Sequence, residues 1–455
     1  VEEVLAQLSD VARTASEAFG ALDNADIDFG VIEDEEGNSV ELSKARYSKF
    51  MESQDRSVRQ AAFEALATAY RSHQHTLAAL HGSSVRKDVA QARVRGYDSA
   101  LDEALFDDNL PTSVYHSLIE VVREAKPLFE RSLGLRQRVL GVDQLHRYDL
   151  RVPLAPDSRK SYEYREAVDV VLGGVAALGE RYVSDLRTGF SSRWVDVHET
   201  QNKRSGAYSW GVYGSPPVML MNWNGTLSDV FTLAHEAGHA MHTFYASASQ
   251  PIHLASYPIF LAEIASTVNE VLLTWHLLEQ DAKDDPLQRF TLLNRFVDGF
   301  EATMVNQVMY ADFELRTHTA AEKGQPVTLE FLDQQFGDVQ ENYAPGVVVD
   351  DSTTIQWARV PHFYRAYYVF QYATGLTSAI NISTAVRDEG EPARARYLEM
   401  LSAGGSDYPL TLLQRAGVDL ATREPYTVAL AEFERCLGEM EELIAAGVLE
   451  GASVA

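Results

Sequence analysis

The sequence is short of cysteine, of lysine and of long apolar runs. A single cysteine, Cys436, stands among 455 residues. No internal disulfide can form, and a structural zinc site built on thiolates is excluded. That usage suits a reducing compartment, so a cytoplasmic location is expected. Cys436 lies in a polar helical stretch far from every other motif and reads as a packing or surface residue. No run of about 18 or more uninterrupted apolar residues exists, so no membrane-spanning helix is expected. The start, Val1-Glu2-Glu3-Val4-Leu5, is acidic and helical, and no signal peptide is visible there. Basic charge is scarce too: 66 acidic residues face 39 basic ones, for a formal charge of −27. Such a chain repels nucleic acid and anionic membranes, and neither is expected as a partner.

What is present is a large apolar share, 45% of residues, enough for a sizeable core. The length allows two or three domains or one large two-lobed enzyme. The hydrophobic period is helical almost throughout. One amphipathic helix is expected over 1–26, with Leu5, Leu8, Val11 and Ala12 on its stripe, then a hairpin turning at Gly37-Asn38. A long helix over 55–95 is expected to be irregular at Gly82-Ser83-Ser84. Another should run from Pro111-Thr112 to Gly141 with a kink at Pro127, followed by an extended stretch over 148–154. Helices are further expected near 160–188, 259–281, 286–322, 328–341, 361–386, 391–403 and 424–446. The period changes at 205–214 and 218–222, which read as two strands of a small sheet. No fixed-period repeat occurs.

Immediately after those strands comes Phe231-Thr232-Leu233-Ala234-His235-Glu236-Ala237-Gly238-His239-Ala240-Met241-His242. Thr226, with Asp229 three residues on, is a start signal for this helix. His235 and His239 lie just over one turn apart and share a face, so both imidazoles can hold one tetrahedral metal ion, most often zinc. Glu236 sits beside the first of them, placed to reach a water at the metal. A catalytic site needs a third ligand from another element and one open position. Glu263 is a lone acid in an apolar helical stretch and offers that ligand; a carboxylate satisfied by arginine is the competing reading. Glu270, seven residues on, faces the same way and suits a hydrogen bond to a ligand imidazole, or an ordinary ion pair. His242 is too far along the helix to share the ion and reads as a supporting or packing histidine. Downstream, His362, Tyr364, Tyr367, Tyr368 and Tyr372 are donors that could stabilise an oxyanion, or the aromatic face of a core helix.

These residues resemble one family as a set. The strings Arg204-Ser205-Gly206-Ala207-Tyr208-Ser209-Trp210-Gly211, Met221-Asn222-Trp223 through His242, 260–270, and Pro361-His362-Phe363-Tyr364 through Tyr372-Ala373-Thr374-Gly375 look like the oligoendopeptidase F branch of the thimet-oligopeptidase-like zinc metallopeptidases, the gluzincins. Arg46-Tyr47-Ser48-Lys49-Phe50, Tyr97-Asp98-Ser99-Ala100-Leu101 and Ser402-Ala403-Gly404-Gly405-Ser406-Asp407-Tyr408-Pro409 extend the likeness from about residue 27 to the end. The resemblance implies a mostly α, prolate, two-lobed molecule with a deep channel and a small antiparallel sheet beside the zinc helix. Residues 1–190 would form a helical lobe, and 191–455 a catalytic lobe interleaved with it. It implies one Zn2+ per chain on His235, His239 and Glu263, with Glu236 as general base. His362, Tyr367 and Tyr372 would act on the oxyanion, with Tyr364 in reserve. Gly206, Tyr208 and the strand Val218, Met219, Leu220 would bind the extended substrate.

The implied activity is hydrolysis of internal bonds in short unfolded peptides by a monomer or small homo-oligomer. A related zinc carboxypeptidase and a non-catalytic oligopeptide-binding protein are the alternatives. Members of the family usually carry a longer segment ahead of the matched part, which leaves the closure of the channel open. Arginine far outnumbers lysine in this acidic chain, which suits either a salt-rich host or a GC-rich genome. Unfolding measured from dilute buffer to molar salt separates the two: a salt-adapted protein loses its fold at low salt, and full stability in dilute buffer excludes it.

Overall fold

The stretch Ile259–Glu279 is apolar almost all the way round, with isolated polar residues such as Glu263, Asn269 and Glu270 but no continuous polar face. A helix of that kind is stable only when covered on every side. The computed structural model describes residues 2–155, 160–280 and 282–450, and in it this central helix lies between two others. One is Leu227–Ser249, the histidine helix; the other is Phe370–Glu389, the tyrosine helix. Leu261, Ile264, Ala265 and Val268 are wholly buried between them. The helix Glu424–Ala445 packs on the tyrosine helix and on Pro286–Phe300, and Glu391–Ala403 packs on both the histidine and tyrosine helices. One contiguous apolar cluster reaches from Phe19 to Met440. The mostly helical class is the one expected.

The histidine and central helices touch backbone to backbone. A Cβ on Gly238 would stand 2.4 Å from the Ala265 carbonyl oxygen and 2.5 Å from Ser266 Cα, so only glycine fits. Asn269, fully buried, pins the same pair: its Nδ2 donates to the Ala234 carbonyl (3.0 Å) and its Oδ1 accepts from the Tyr182 hydroxyl (3.1 Å).

Five short strands are present among the described residues. β1 (Val31–Glu33) and β2 (Ser39–Glu41) form the expected hairpin. β3 (Val195–Asp196), β4 (Tyr208–Trp210) and β5 (Val218–Leu220) form a sheet in the order β3-β5-β4. β5 pairs parallel with β3 and antiparallel with β4.

Several boundaries differ from the sequence expectation. The first helix is interrupted at Leu8 and buries Ala15 and Phe19, while Leu8 and Val11 stay exposed; it docks through its second half, where Phe19 stacks on Tyr364. The long helix divides at His73 into Arg56–Ser72 and Gln74–Arg95. Gly82-Ser83-Ser84 is regular helix, and its small residues admit the Val327 backbone, 3.2 Å from where a Gly82 Cβ would lie. The Pro127 region breaks at Ala125 instead of kinking. Pro127 then falls in the first turn of Lys126–Leu140, where a missing N–H costs nothing. In place of an extended stretch, Arg147–Asp149 forms a 3-10 turn around the buried Asp149, which accepts from His146 N (2.9 Å), Arg56 Nε (3.0 Å) and Arg59 Nη2 (2.9 Å). Cys436 is buried in Glu424–Ala445, where burial first pushes its thiol up to about 12.

The Gly238 contact yields a prediction. Gly238→Ala should lower unfolding free energy by about 1–3 kcal/mol, as overpacked cores do, read by urea titration of the metal-free chain. An unchanged midpoint would show that the helix pair can part without cost.

Candidate metal centre

The histidine helix opens with a capping box. Thr226 Oγ1 accepts from Asp229 N (3.1 Å), and Asp229 Oδ2 accepts from Thr226 N (2.9 Å). About two turns on, His235 and His239 project from one face, with their Nε2 atoms 3.2 Å apart. Glu263 comes from the central helix. Its Oε2 lies 3.4 Å from His235 Nε2 and 3.5 Å from His239 Nε2. Among the described residues these three are the group of His, Cys, Asp or Glu side chains close enough to share an ion. Tetrahedral zinc with bonds of roughly 2.0–2.1 Å sets its ligand atoms about 3.3–3.4 Å apart. The triangle therefore matches one face of such a tetrahedron, its donors are the two-imidazole, one-carboxylate set of catalytic zinc, and the fourth corner is left open.

The surroundings orient that face. His235 Nδ1 is 2.6 Å from Glu270 Oε1. With the proton on Nδ1 donated to Glu270, the Nε2 lone pair faces the cluster. Burial alone would depress the His235 pKa, but the hydrogen bond and charge of Glu270, then the charges of Glu263 and Glu236, lift it to about 9. Burial likewise pushes the Glu263 carboxyl up, and the His239 hydrogen bond with both imidazole charges outweighs it, leaving Glu263 below the usual range. Glu236 is 6% exposed. The Ser209 backbone N–H of β4 donates to its carboxylate, while Oε2 has no partner. Burial raises its pKa against the pull of His235 and His239. A buried carboxylate oxygen left unpaired is costly, which marks it as waiting for a proton or a ligand.

His242 is fully buried and lies flat on Tyr257, ring centres 3.5 Å apart and planes within 6°. Neither of its nitrogens has a partner, and burial, then the charge of His239, drives its pKa to about 3. It packs beneath the ligands and bonds to neither.

The aromatic segment departs from the expected continuous helix over 361–386. Pro361–Tyr364 is a 3-10 turn, and regular helix begins only at Phe370. Between them Tyr367 has φ of +53°, the left-handed region that bulky residues avoid. Its N–H donates to the buried Glu314 Oε1 (2.7 Å), and its ring, 3% exposed, packs against Tyr115 and His318. Tyr364 stacks on Phe19 with ring centres 4.5 Å apart. Of the two tyrosines expected at the oxyanion, Tyr367 thus packs on Tyr115 and His318, and the reserve, Tyr364, packs on Phe19. Instead His362 is flanked by Tyr368, stacked at 5.6 Å, and by Tyr372, edge-on at 6.0 Å. Tyr372 stands one turn before Gly375, whose Cβ position would lie 3.6 Å from Glu263 Cβ. Burial, then a hydrogen bond with Tyr368 and the charges of Tyr368 and Glu263, raises its pKa, so its hydroxyl keeps its proton.

The strand expected to pair with substrate lies inside the sheet. Val218, Met219 and Leu220 form β5, the middle strand, with neighbours on both edges and no main-chain groups left to pair. The outer strands are β3 and β4, and β4 is the longer of the two. Tyr208 lies on that strand, and Gly206 lies in the turn leading into it, tied down by Asn222 Nδ2 donating to its carbonyl (2.8 Å).

Comparison with known proteins places the chain. The profile of Peptidase family M3 matches residues 49–432. Oligopeptidase PepF of Bacillus subtilis is 43% identical over 444 residues, which cover 97% of this chain and 66% of PepF, just under two thirds. Group B oligopeptidase PepB of Streptococcus agalactiae is 41% identical, covering 98% of this chain and 74% of that protein. The crystal structure of oligoendopeptidase-F from Enterococcus faecium superposes with a TM-score of 0.82 at 35% identity, covering 98% of this chain and 74% of that one. This chain belongs to peptidase family M3, in its oligoendopeptidase F branch. That is a family of metalloendopeptidases.

Within this M3 site, two contributors were not singled out from the sequence. Asn269 fixes the helix pair, and the Ser209 N–H binds Glu236. Asn269 carried a signal, a lone amide in an apolar helix; the Ser209 contact joins distant segments. For Glu270 the geometry gives an outcome to check. Glu270→Ala should weaken zinc binding by about 10- to 100-fold, as loss of such a supporting acceptor does, measured by competition with a chromophoric chelator. Unaltered affinity would reduce the 2.6 Å contact to an incidental one.

Proposed function

We propose that this chain is a zinc-dependent endopeptidase that cuts internal bonds of short, unfolded peptides, with one ion per chain on His235, His239 and Glu263. The observation that carries this reading is the open three-donor face with the unpartnered Glu236 Oε2 beside it. Membership of family M3 supports it, as do relatives that are themselves oligopeptidases.

When bound, zinc would polarise the scissile carbonyl and acidify a water enough for attack near neutral pH. Glu236 takes the proton of the attacking water at Oε2 and passes it to the leaving amine. Its burial raises its proton affinity toward the range where a carboxylate serves both as base and as acid. The Ser209 N–H holds the carboxylate in position while it does so. His362 and Tyr372 donate hydrogen bonds to the carbonyl oxygen as negative charge builds on it. Tyr368 restrains both by stacking on His362 and bonding Tyr372. An extended peptide adds to the outer edge of β4, where main-chain pairing gives affinity without demanding a particular sequence.

Glu236→Gln should keep its zinc, checked by metal analysis, and lose about 10²- to 10⁴-fold in kcat/KM. Mass spectrometry of a quenched peptide-library digest, with and without chelator, should show internal fragments that vanish when metal is removed. Full activity in the Gln variant ends the Glu236 role, and stepwise loss of single C-terminal residues would mark a carboxypeptidase.

A further inference from the structure

A cavity of about 620 Å3 borders His362 and continues past Pro361 and Val360 to Arg359. Its volume falls in the range of sites that enclose a small ligand, roughly 300–1,000 Å3. Arg147 and Arg151 line it as well. Their partners within the chain are neutral. Arg147 Nη2 donates to Asn306 Oδ1 (3.0 Å), and Arg359 Nη1 donates to Gln356 Oε1 (3.3 Å) with its guanidinium over the Tyr47 ring at 4.8 Å. Arg151 is exposed and has no hydrogen bond among the described residues. None of the three makes an ion pair among the described residues, in a chain of net charge −27.

The acids on the cavity wall do not neutralise them. Asp298 is engaged by Arg136. Glu301 accepts from Ser132 Oγ (2.7 Å), and burial raises its carboxyl pKa toward the neutral form against the pull of Arg136 and, more weakly, Arg147. Glu52 is exposed and pairs with none of the arginines. Burial holds Arg147 below its ordinary pKa; Tyr310 and Tyr47 act against it, and the charges of Arg151 and Arg359 add a smaller push in the same direction as burial. Cations gathered in a recess without an anion are unfavourable, and an entering anion relieves the repulsion. Guanidinium groups match carboxylates in a planar fork.

We infer that this cavity is a subsite for a carboxylate of the peptide substrate, gripped by Arg147, Arg151 and Arg359 while the scissile bond lies at His362. This rests on the peptidase reading above. His362 is the wall shared between this cavity and the site proposed above, so the inference is that one peptide spans both, and the anions a peptide carries are its own C-terminal group and the side chains of Asp and Glu. If the C-terminal group is the one held, the enzyme measures its cut from that end, which restricts it to short substrates without a closed channel.

Four peptides test this: one parent with a free C-terminus and an internal Glu, its C-terminal amide, its Glu-to-Gln analogue, and the analogue carrying both changes. With the zinc-loaded full chain, amidation should raise KM about 10- to 100-fold, the scale of a lost charge-assisted contact, and change kcat less. The same rise from the Gln analogue alone would assign the subsite to a side-chain carboxylate. Arg151→Gln, which breaks no internal hydrogen bond, and Arg359→Gln should each bring the acid-to-amide ratio toward one. Calorimetric titration of the four peptides onto Glu236→Gln reads the same discrimination without turnover. Absence of hydrolysis would thus count against the peptidase reading, while the ratio of Kd values still judges the subsite. Equal KM and Kd for all four peptides, or a ratio untouched by both arginine variants, overturns the inference.

Discussion

Everything at the metal face depends on the backbone contact at Gly238. His235 and His239 come from one helix and Glu263 from another, and their donor atoms stand 3.2–3.5 Å apart. Side chains normally hold helix axes 8–10 Å apart. Here one missing Cβ lets the Ala265 and Ser266 backbone settle against the histidine helix, and Asn269 ties the Ala234 carbonyl, one residue before the first ligand, to the facing helix. The same contact explains why the central helix is apolar on nearly all sides: it has neighbours everywhere and can spare polar residues only for the site.

Charge is the second constraint. Glu236, Glu263 and Glu270 surround two imidazoles in a largely buried space. Without a cation the cluster retains a proton on His235, whose pKa is lifted to about 9 by those acids. A divalent ion balances the same carboxylates and uses the lone pairs that Glu270 has already oriented. The arginine cavity beside His362 is the electrostatic opposite, a cationic recess in a strongly acidic molecule. A peptide lying from one to the other would meet a Lewis-acid site at its scissile carbonyl and a carboxylate receptor further along.

The third determinant is the left-handed residue Tyr367. Held by Glu314 and packed on Tyr115, it turns the chain before the tyrosine helix starts. That turn decides which of the four tyrosines that follow lie against His362. A straight helix from Pro361 would select different ones. Backbone strain of this kind persists when surrounding contacts over-determine it, and it clusters near functional sites.

Local periodicity made much of this legible in advance. Four-residue spacing put His235 and His239 on one face, seven-residue spacing aligned Glu263 with Glu270, and Thr226 with Asp229 marked where the helix starts; each follows from helix geometry alone. Other features were not legible because they arise between segments far apart in sequence. β3 is two residues long, too short for any pattern, yet its pairing makes β5 a central strand and puts β4 at an edge of the sheet. The positive φ of Tyr367 comes from Glu314, 53 residues away. The sequence by itself determined the residue types and the helix faces, His235 with His239 and Glu263 with Glu270, since these depend on neighbours within a turn or two. Tertiary structure alone decided which tyrosines lie against His362, which strands are outermost and which arginines share a cavity, because each is settled by contacts that exist only once distant segments are packed together.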